Sequence, residues 1–349
     1  MAESDMAESD MAEEPQTKAD ADALRIWVVT DGRAGNVNPS LGLAEALSRR
    51  FPAQIAEKTL KPRGSLARLP PVVVENLSAL LGQRSEGWPF RAFDDGPNLF
   101  APPYPGLVIG CGRLGAPVVS AIGFLSGRQT RTVQLLNPQL PLKRFDLVIA
   151  PKHDRLRAEN LLETVGSLTR DRSAEAPSPD PRLAAAPRPL LTVLIGGVSR
   201  SAGFDMRDAA ALVAGLEPFF EQGWGVAATL SNRTPEDVAT RLRAEIAERG
   251  GWLWNGEGSN PYAALLAEAS AIVATADSVN MASEACATGK PVFIAPLNKL
   301  SPKLERFHAA LRAGGHAKPL AEAPAEGWRP TPLDDMPRAV DAVAALLRL

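Results

Sequence analysis

Residues 271–296 read AIVATADSVNMASEACATGKPVFIAP. The apolar run Ala271 to Ala274 predicts a short buried strand that stops at Thr275-Ala-Asp-Ser. A helix-compatible segment carrying one carboxylate, Glu284, follows, and Gly289-Lys-Pro ends it before a second apolar run, Val292 to Ala295. Strand, turn, helix and strand make half of a βαβ unit, with polar side chains at the strand's carboxyl end, where parallel sheets bind ligands. Ser278 is placed to cap the helix. A cap hydroxyl and the open N–H groups behind it suit a phosphate, because a helix start carries partial positive charge. Asn280 and Glu284 are four residues apart and share a face, the carboxylate roughly 9 Å along from the cap. A phosphate at the cap and sugar hydroxyls on the carboxylate then span one nucleotide. The competing reading is an amphipathic helix whose glutamate is solvated.

Upstream, the same alternation fills the second half of the chain. Leu190 to Ile195 reads as a buried strand opening into Gly196-Gly-Val-Ser-Arg-Ser, followed by a helix from about Met206 to Phe220. Gly225 to Leu230 is a strand ending in Ser231-Asn-Arg-Thr-Pro, where Thr234 is expected to cap the helix that Pro235 starts. Trp252 to Trp254 is a short strand before Asn255-Gly-Glu-Gly-Ser-Asn260 and a helix from Pro261. Pro302 to Arg312 and Arg338 to Leu349 add two further helices.

The first half alternates as well. Ile26 to Thr30 is a strand, and Asp31-Gly-Arg-Ala-Gly-Asn36 reads as a loop before a helix beginning near Pro39. Gly32, Gly35 and Asn36 lie where an α/β sheet places ligands, and Asp31 is either a catalytic carboxylate or a side chain fixing the loop. Leu107 to Ile109 leads into Gly110, Gly112 and Gly115 in G-x-G-x-x-G spacing, with Arg113 among them and Pro117 in the first turn of a helix. That is the dinucleotide fingerprint taken alone, but the ribose-binding acid about 20 residues on is missing from RQTRTVQLLN. The glycines are therefore expected to permit close backbone approach in an interdomain cleft. Thr132 to Leu136 ends in Asn137-Pro, and Asp146 to Ala150 runs into Pro151-Lys-His-Asp154, which makes His153 the histidine at a strand's carboxyl end and a candidate general base. Its competing role is a hydrogen-bonding spacer.

Composition sets the outer bounds. A chain of 349 residues with 45% apolar and 22% charged residues has ample core and is long enough for two domains. A net charge of −2 gives no global reason to expect nucleic acid. Cys111 and Cys286, both in apolar context, argue against a disulfide framework or zinc site and favour a reducing, cytoplasmic setting. No apolar run approaches the roughly 18 residues of a membrane span. The opening MAESD, MAESD, MAEE repeat is acidic and resembles neither a secretory nor a transit signal. The organisation expected is a disordered acidic tail (1–22), an amino-terminal Rossmann-like domain (23–170), a Pro- and Ala-rich linker (171–189), a nucleotide-binding Rossmann-like domain (190–325) and a tail with a helix (326–349). Between Lys58 and Phe93, the basic residues Lys58, Lys61, Arg63, Arg68, Arg84 and Arg91 are mixed with Trp88 and Phe90. That mixture suits a headgroup or partner contact, against the simpler account of a solvated insertion.

The order Gly196-Gly-Val-Ser199, Asn260 to Ser270 and Thr275 to Val292 resembles the carboxyl-terminal half of two-Rossmann-domain (GT-B) nucleotide-sugar glycosyltransferases. Across roughly Leu24 to Leu320, the succession TDGRAGN, IGCGR, LNP, PKHD and IGG with the Ser-to-Glu helix resembles the mitochondrial fission (elongated mitochondria) family, whose bacterial members are often labelled as nucleoside-diphosphate-sugar epimerase-like. The glycosyltransferase resemblance implies an α/β fold of two parallel-sheet domains facing across a cleft. It implies a nucleoside-diphosphate sugar as ligand, ribose hydroxyls on Glu284, and a diphosphate held by Ser278 with the Gly196, Gly197 and Ser199 turn. The loop from Asn255 to Asn260 would lie by the base, and Gly32, Gly35 and Asn36 would close the cleft from the amino-terminal side. Helix starts can neutralise a diphosphate without a metal, and neither metal nor other cofactor is expected. Where the lipid-linked transferases carry a Gly-Gly-His turn, this chain has Gly32-Arg-Ala-Gly35-Asn36, which removes a candidate catalytic histidine. Three functions follow: a metal-independent glycosyltransferase, a non-catalytic scaffold that meets membranes peripherally, and an NAD-dependent nucleotide-sugar epimerase; a peripheral membrane or a lipid acceptor is the further partner considered, and the acceptor itself is not named by the sequence.

Overall fold

A computed structural model describes residues 23–64, 69–74, 89–171 and 180–349. The acidic tail, Arg68, Arg84, Trp88 and residues 172–179 of the expected linker lie outside the described residues.

The first half builds one parallel sheet from β1 (Leu24–Thr30), β2 (Ala53–Thr59), β3 (Leu107–Cys111), β4 (Arg131–Leu135), β5 (Leu147–Pro151) and β6 (Leu161–Thr164), in the order β2-β1-β3-β4-β5-β6. Helix α1 (Ala34–Ser48) follows β1 and α2 (Gly112–Leu125) follows β3. The second half repeats the plan with β7 (Leu190–Ile195), α3 (Met206–Glu221), β8 (Gly225–Leu230), α4 (Glu236–Glu248), β9 (Trp252–Leu253), α5 (Tyr262–Glu268), β10 (Ala271–Thr275), α6 (Val279–Ala287), β11 (Val292–Ala295), α7 (Pro302–Ala313) and β12 (Lys318–Pro319). Its sheet, also parallel, runs β12-β11-β10-β7-β8-β9. Strands β3, β7, β10 and β11 are buried along their whole length, as apolar strands covered on both faces must be.

Strand order places the crevices. In the first sheet the winding reverses between β1 and β3, and in the second between β7 and β10. Loops leaving two such neighbours diverge to opposite faces and leave a gap at the carboxyl ends of the strands. The loops at Asp31, Gly112, Gly196 and Thr275–Ser278 are those at the reversals.

Helices cover both faces of the first sheet. Leu43 and Leu47 of α1 pack with Ala339, Val340 and Val343 of the terminal helix α8 (Met336–Leu347) on one face. Val118, Val119 and Ile122 of α2 pack with Phe90, Phe93 and Phe100 on the other. The last helix is therefore no free tail: the chain crosses back and completes the core of the first half. In the second half one large core gathers Phe219, Phe293, Phe307 and the strands of its sheet. The described end of the expected linker is docked too, with Leu183 fully buried beside Leu190 and Leu265, and Arg188 bonded to Glu268 at 2.6 Å.

Three local expectations are corrected. Helix α1 starts at Ala34 rather than near Pro39, so Gly35 and Asn36 belong to its first turn and Pro39 lies inside it. Thr234 does not cap α4; its hydroxyl donates to the Gly196 carbonyl at 2.6 Å, and Pro235 stands at the cap position. Gly110 and Gly115 do not open the cleft. A Cβ on Gly110 would lie 2.4 Å from Val119 Cγ2, and one on Gly115 3.3 Å from the Val29 carbonyl. Both glycines let α2 lie close on its own sheet.

Candidate functional site

Helix α6 starts as its sequence demands. Ser278 has extended backbone angles and its hydroxyl accepts from the Met281 N–H at 3.3 Å. The N–H groups of Val279 and Asn280 have no carbonyl behind them in the helix, and both residues line a cavity of about 410 Å³ between the two sheets. Arg113, Asn137, His153, Asp154, Ser199, Arg233, Asp277 and Lys303 share that wall.

The cavity is polar and only partly neutralised. Lys303 pairs with Asp154, and Arg233 pairs with the fully buried carboxylate of Asp277 at 2.9 Å. Arg113, an exposed residue of the wall, has no ion pair among the described residues. Asp277 also accepts from Thr275 Oγ1 at 2.7 Å and from the Gly197 N–H at 2.9 Å, while the Gly196 N–H donates to Thr275 Oγ1 at 2.8 Å. The two N–H groups assigned to a diphosphate are thus engaged inside the protein. Glycine is required in this turn, since a Cβ on Gly196 would fall 2.0 Å from Asp277 Oδ1. Ser199 accepts from the Ser201 and Ala202 N–H groups, at 3.1 Å each.

Glu284 lies off this cavity. One oxygen accepts from Tyr262 Oη at 2.5 Å and the other from Asn38 Nδ2 of α1 at 2.9 Å. The residue lines a second, largely apolar cavity of about 790 Å³ with Tyr262, Leu266, Ala287, Met336 and Val340. Asn280 bridges the halves: its amide donates to the Gly35 carbonyl at 3.0 Å, and its carbonyl accepts from Ser167 Oγ at 2.5 Å.

Asp31 takes the loop-fixing role, accepting from Asn36 Nδ2 at 2.9 Å and the Arg33 N–H at 3.2 Å. Asp31, Gly32, Gly35, Asn36, Gly110, Gly196, Gly197 and Asn260 line neither cavity. Gly32 and Gly112 have φ of +74° and +68°, a region that favours glycine, and Gly112 sits against the Asn36 side chain. Asn137 accepts from the Gln139 N–H at 2.9 Å, which fixes the turn after β4. Asn260 does the same for α5, accepting from the Tyr262 N–H at 3.0 Å.

His153 is 5% exposed, edge-on to Phe307 with ring centroids 5.2 Å apart. Burial, with Lys303, Arg306 and His308 close by, pushes its pKa down to about 4 against the opposing pull of Asp154. At neutral pH it is an uncharged imidazole, and the burial that keeps it neutral also opposes its protonation. Arg306 donates to its carbonyl at 3.1 Å, tying the turn to α7. Sequence reading missed Asn38, Asp154, Arg233, Asp277, Lys303 and Tyr262. Asp277 carried one signal, a carboxylate immediately before a cap serine; the others are ordinary surface-type residues until the two halves meet. Among the described residues no three His, Cys, Asp or Glu side chains converge as metal ligands, and no helix is long and apolar enough to cross a membrane.

Two parallel Rossmann-like sheets joined across such a cleft define a GT-B-type protein. The chain belongs to the mitochondrial fission ELM1 family: the profile described as "Mitochondrial fission ELM1" matches residues 34–347. The mitochondrial fission protein ELM1 of Arabidopsis thaliana is 31% identical over 269 residues, which are 68% of this chain and 63% of the plant protein, so the match spans less than two thirds of that relative. Among solved structures, the UDP-GlcNAc 2-epimerase of Methanocaldococcus jannaschii superposes with a TM-score of 0.51 at 11% identity, covering 93% of this chain and 100% of its own. Arabidopsis thaliana UGT89C1, complexed with UDP, gives 0.50 at 12% identity over 93% of this chain and 94% of its own. Both are likenesses of fold.

Proposed function

We propose that the protein binds a nucleoside-diphosphate sugar in the cleft and transfers the sugar without a metal. The observation that carries the reading is the start of α6, where Ser278, Val279 and Asn280, the last two with no helical partner for their N–H groups, line a cavity together with Arg113, Arg233 and Lys303. Its place at the β7/β10 reversal agrees with this. So do the structural neighbours whose names carry UDP. In transfer, the bond from the anomeric carbon to the diphosphate oxygen breaks as the acceptor hydroxyl oxygen bonds to that carbon. The electron pair leaves with the diphosphate, and the hydroxyl proton goes to a base. His153 is the candidate base by its place in the cavity wall, a weak one while burial holds its pKa down, and the α6 start with the cleft cations steadies the leaving group.

A second reading, a binding scaffold without turnover, draws on specific observations. The Gly196 and Gly197 N–H groups are spent on Thr275 and Asp277, and Glu284 is satisfied by Asn38 and Tyr262. Thermal denaturation with a panel of UDP, GDP, ADP and their sugars separates the cases when joined to an assay for released nucleoside diphosphate. The transferase reading expects a rise in Tm with one nucleotide class, a loss of most of that rise in Glu284→Ala, and release of diphosphate in the presence of an acceptor. A Tm that no nucleotide moves would falsify nucleotide binding altogether; binding without release leaves the scaffold.

A further inference from the structure

The two cavities lie along one side of α6. Ser278, Val279 and Asn280 face the smaller, and Glu284, Ala287 and Thr288 face the larger. Between them the first turns of α1 cross the helix and touch it twice. Asn280 Nδ2 donates to the Gly35 carbonyl at 3.0 Å, and Asn38 Nδ2 donates to Glu284 at 2.9 Å.

Sequence explains why this bar forms. Pro39 lies inside α1 and has no N–H, so the Gly35 carbonyl four residues earlier receives no helical bond and is left for Asn280. Gly35 lets α1 approach: a Cβ there would lie 2.4 Å from Asn280 Nδ2. On α6, Asn280 and Glu284 are four residues apart, about 6 Å along the axis. A ribose and its first phosphate bridge a gap of that size, and the bar occupies it.

We infer that the bar is an autoinhibitory contact. A nucleotide reaching from the α6 start to Glu284 seats only when the first turns of α1 withdraw, and Asn38 competes with the ligand's ribose hydroxyls for the Glu284 carboxylate. Tyr262, from the same half as Glu284, stays in place as the carboxylate's fixed partner. This inference rests on the nucleotide reading of α6. It sets Asn38 apart from a ligand-binding residue, because removing a competitor tightens binding and removing a contact weakens it.

The test is calorimetric titration of the full chain and two variants, Asn38→Ala and Gly35→Ala, with UDP and with inorganic pyrophosphate. Both substitutions put a better helix former into α1. The second displaces the Asn280 amide from the Gly35 carbonyl without touching Glu284. Loss of a hydrogen bond to a charged group predicts that Asn38→Ala binds UDP about tenfold tighter than the wild type, and Gly35→Ala, which disturbs a neutral hydrogen bond of the same seam, is expected to shift affinity in the same direction by less. Pyrophosphate reaches the α6 start without crossing the bar, so its affinity stays unchanged. UDP affinity that is equal or weaker in Asn38→Ala overturns the inference, and so does an equal gain for pyrophosphate. Should none of the three proteins bind UDP, the titration is run with GDP and ADP, and the nucleotide reading falls with the bar's role if none of these binds; binding of equal strength in all three proteins removes the bar alone.

Discussion

His153 carries a measurable consequence of its position. An imidazole is charged or neutral according to where the protein puts it, and here burial beside Lys303, Arg306 and His308 drives the pKa down to about 4, with Asp154 pulling the other way. In the unfolded chain the ring titrates near 6.5. Between those values the unfolded chain binds a proton that the folded one does not, so stability falls as pH drops through the window from 6.5 to 4 and is fully present above it. The difference corresponds to about 3 kcal/mol. Denaturant titrations at pH 7.5, 5.5 and 4.5 should show the wild type losing more stability over this range than His153→Gln. Parallel pH profiles for the two proteins would mean that the ring is not held neutral. At the same scale, Asp277 shows how one buried carboxylate determines a turn, since it engages Gly197, Thr275 and Arg233 at once. Nothing in the spacing of Gly196 and Asp277 along the chain announces that contact.

At the scale of elements, the Gly110-x-Gly112-x-x-Gly115 run shows one pattern serving another purpose. Its first glycine is buried in β3 under Val119 and its third lies on Val29, so α2 nests on the sheet without side chains between them. Gly110→Ala must therefore push Val119 or the Gln134 side chain, 2.9 Å from the added carbon. The expected cost is about 1–3 kcal/mol of stability for overpacking a tight site, read from urea denaturation. An unchanged unfolding midpoint would show that β3 and α2 are looser than these distances require. Helix α1 offers the opposite lesson. Proline within a helix reads as a boundary, and the Asp31 to Asn36 stretch reads as a loop; the observed helix begins at Ala34 and keeps Pro39 inside it, with the one carbonyl freed by the missing N–H, that of Gly35, accepting from Asn280.

Across the whole molecule, the two halves are tied by chain crossings as well as by the cleft contacts. Ser167 N–H donates to Ser283 Oγ at 3.0 Å and Val165 N–H to Asp335 at 2.8 Å, while within the first half Arg170 binds Glu45 through two nitrogens at 2.6–2.9 Å and fixes the end of that half on α1. Helix α8 then returns to the first half and buries Ala339, Val340, Val343 and Ala344. Removing residues 336–349 exposes the facing Leu43 and Leu47, and the lost burial of two valines and two alanines is about 4–6 kcal/mol. Truncation should lower the Tm of the first half and expose α1 to limited proteolysis while β7–β11 stay protected. A truncated protein with an unchanged proteolytic pattern would argue that α8 is dispensable for the first half's core.

Strand-helix alternation, two parallel sheets and the Ser278 cap were legible in the chain alone, because apolar runs of strand length, helical periodicity and cap chemistry are local properties that each segment carries with it. The grouping of Ser278, Asn280 and Glu284 on one helix was legible for the same reason. Their separation into two cavities was not, because it comes from α1 of the other half laying Gly35 and Asn38 across α6. The membership of α8 in the first core, the engagement of the Gly196–Gly197 turn by Asp277 and the neutral state of His153 also required the folded molecule. Each depends on contacts between residues far apart in sequence, and burial, pairing and pKa exist only once those residues share a surface.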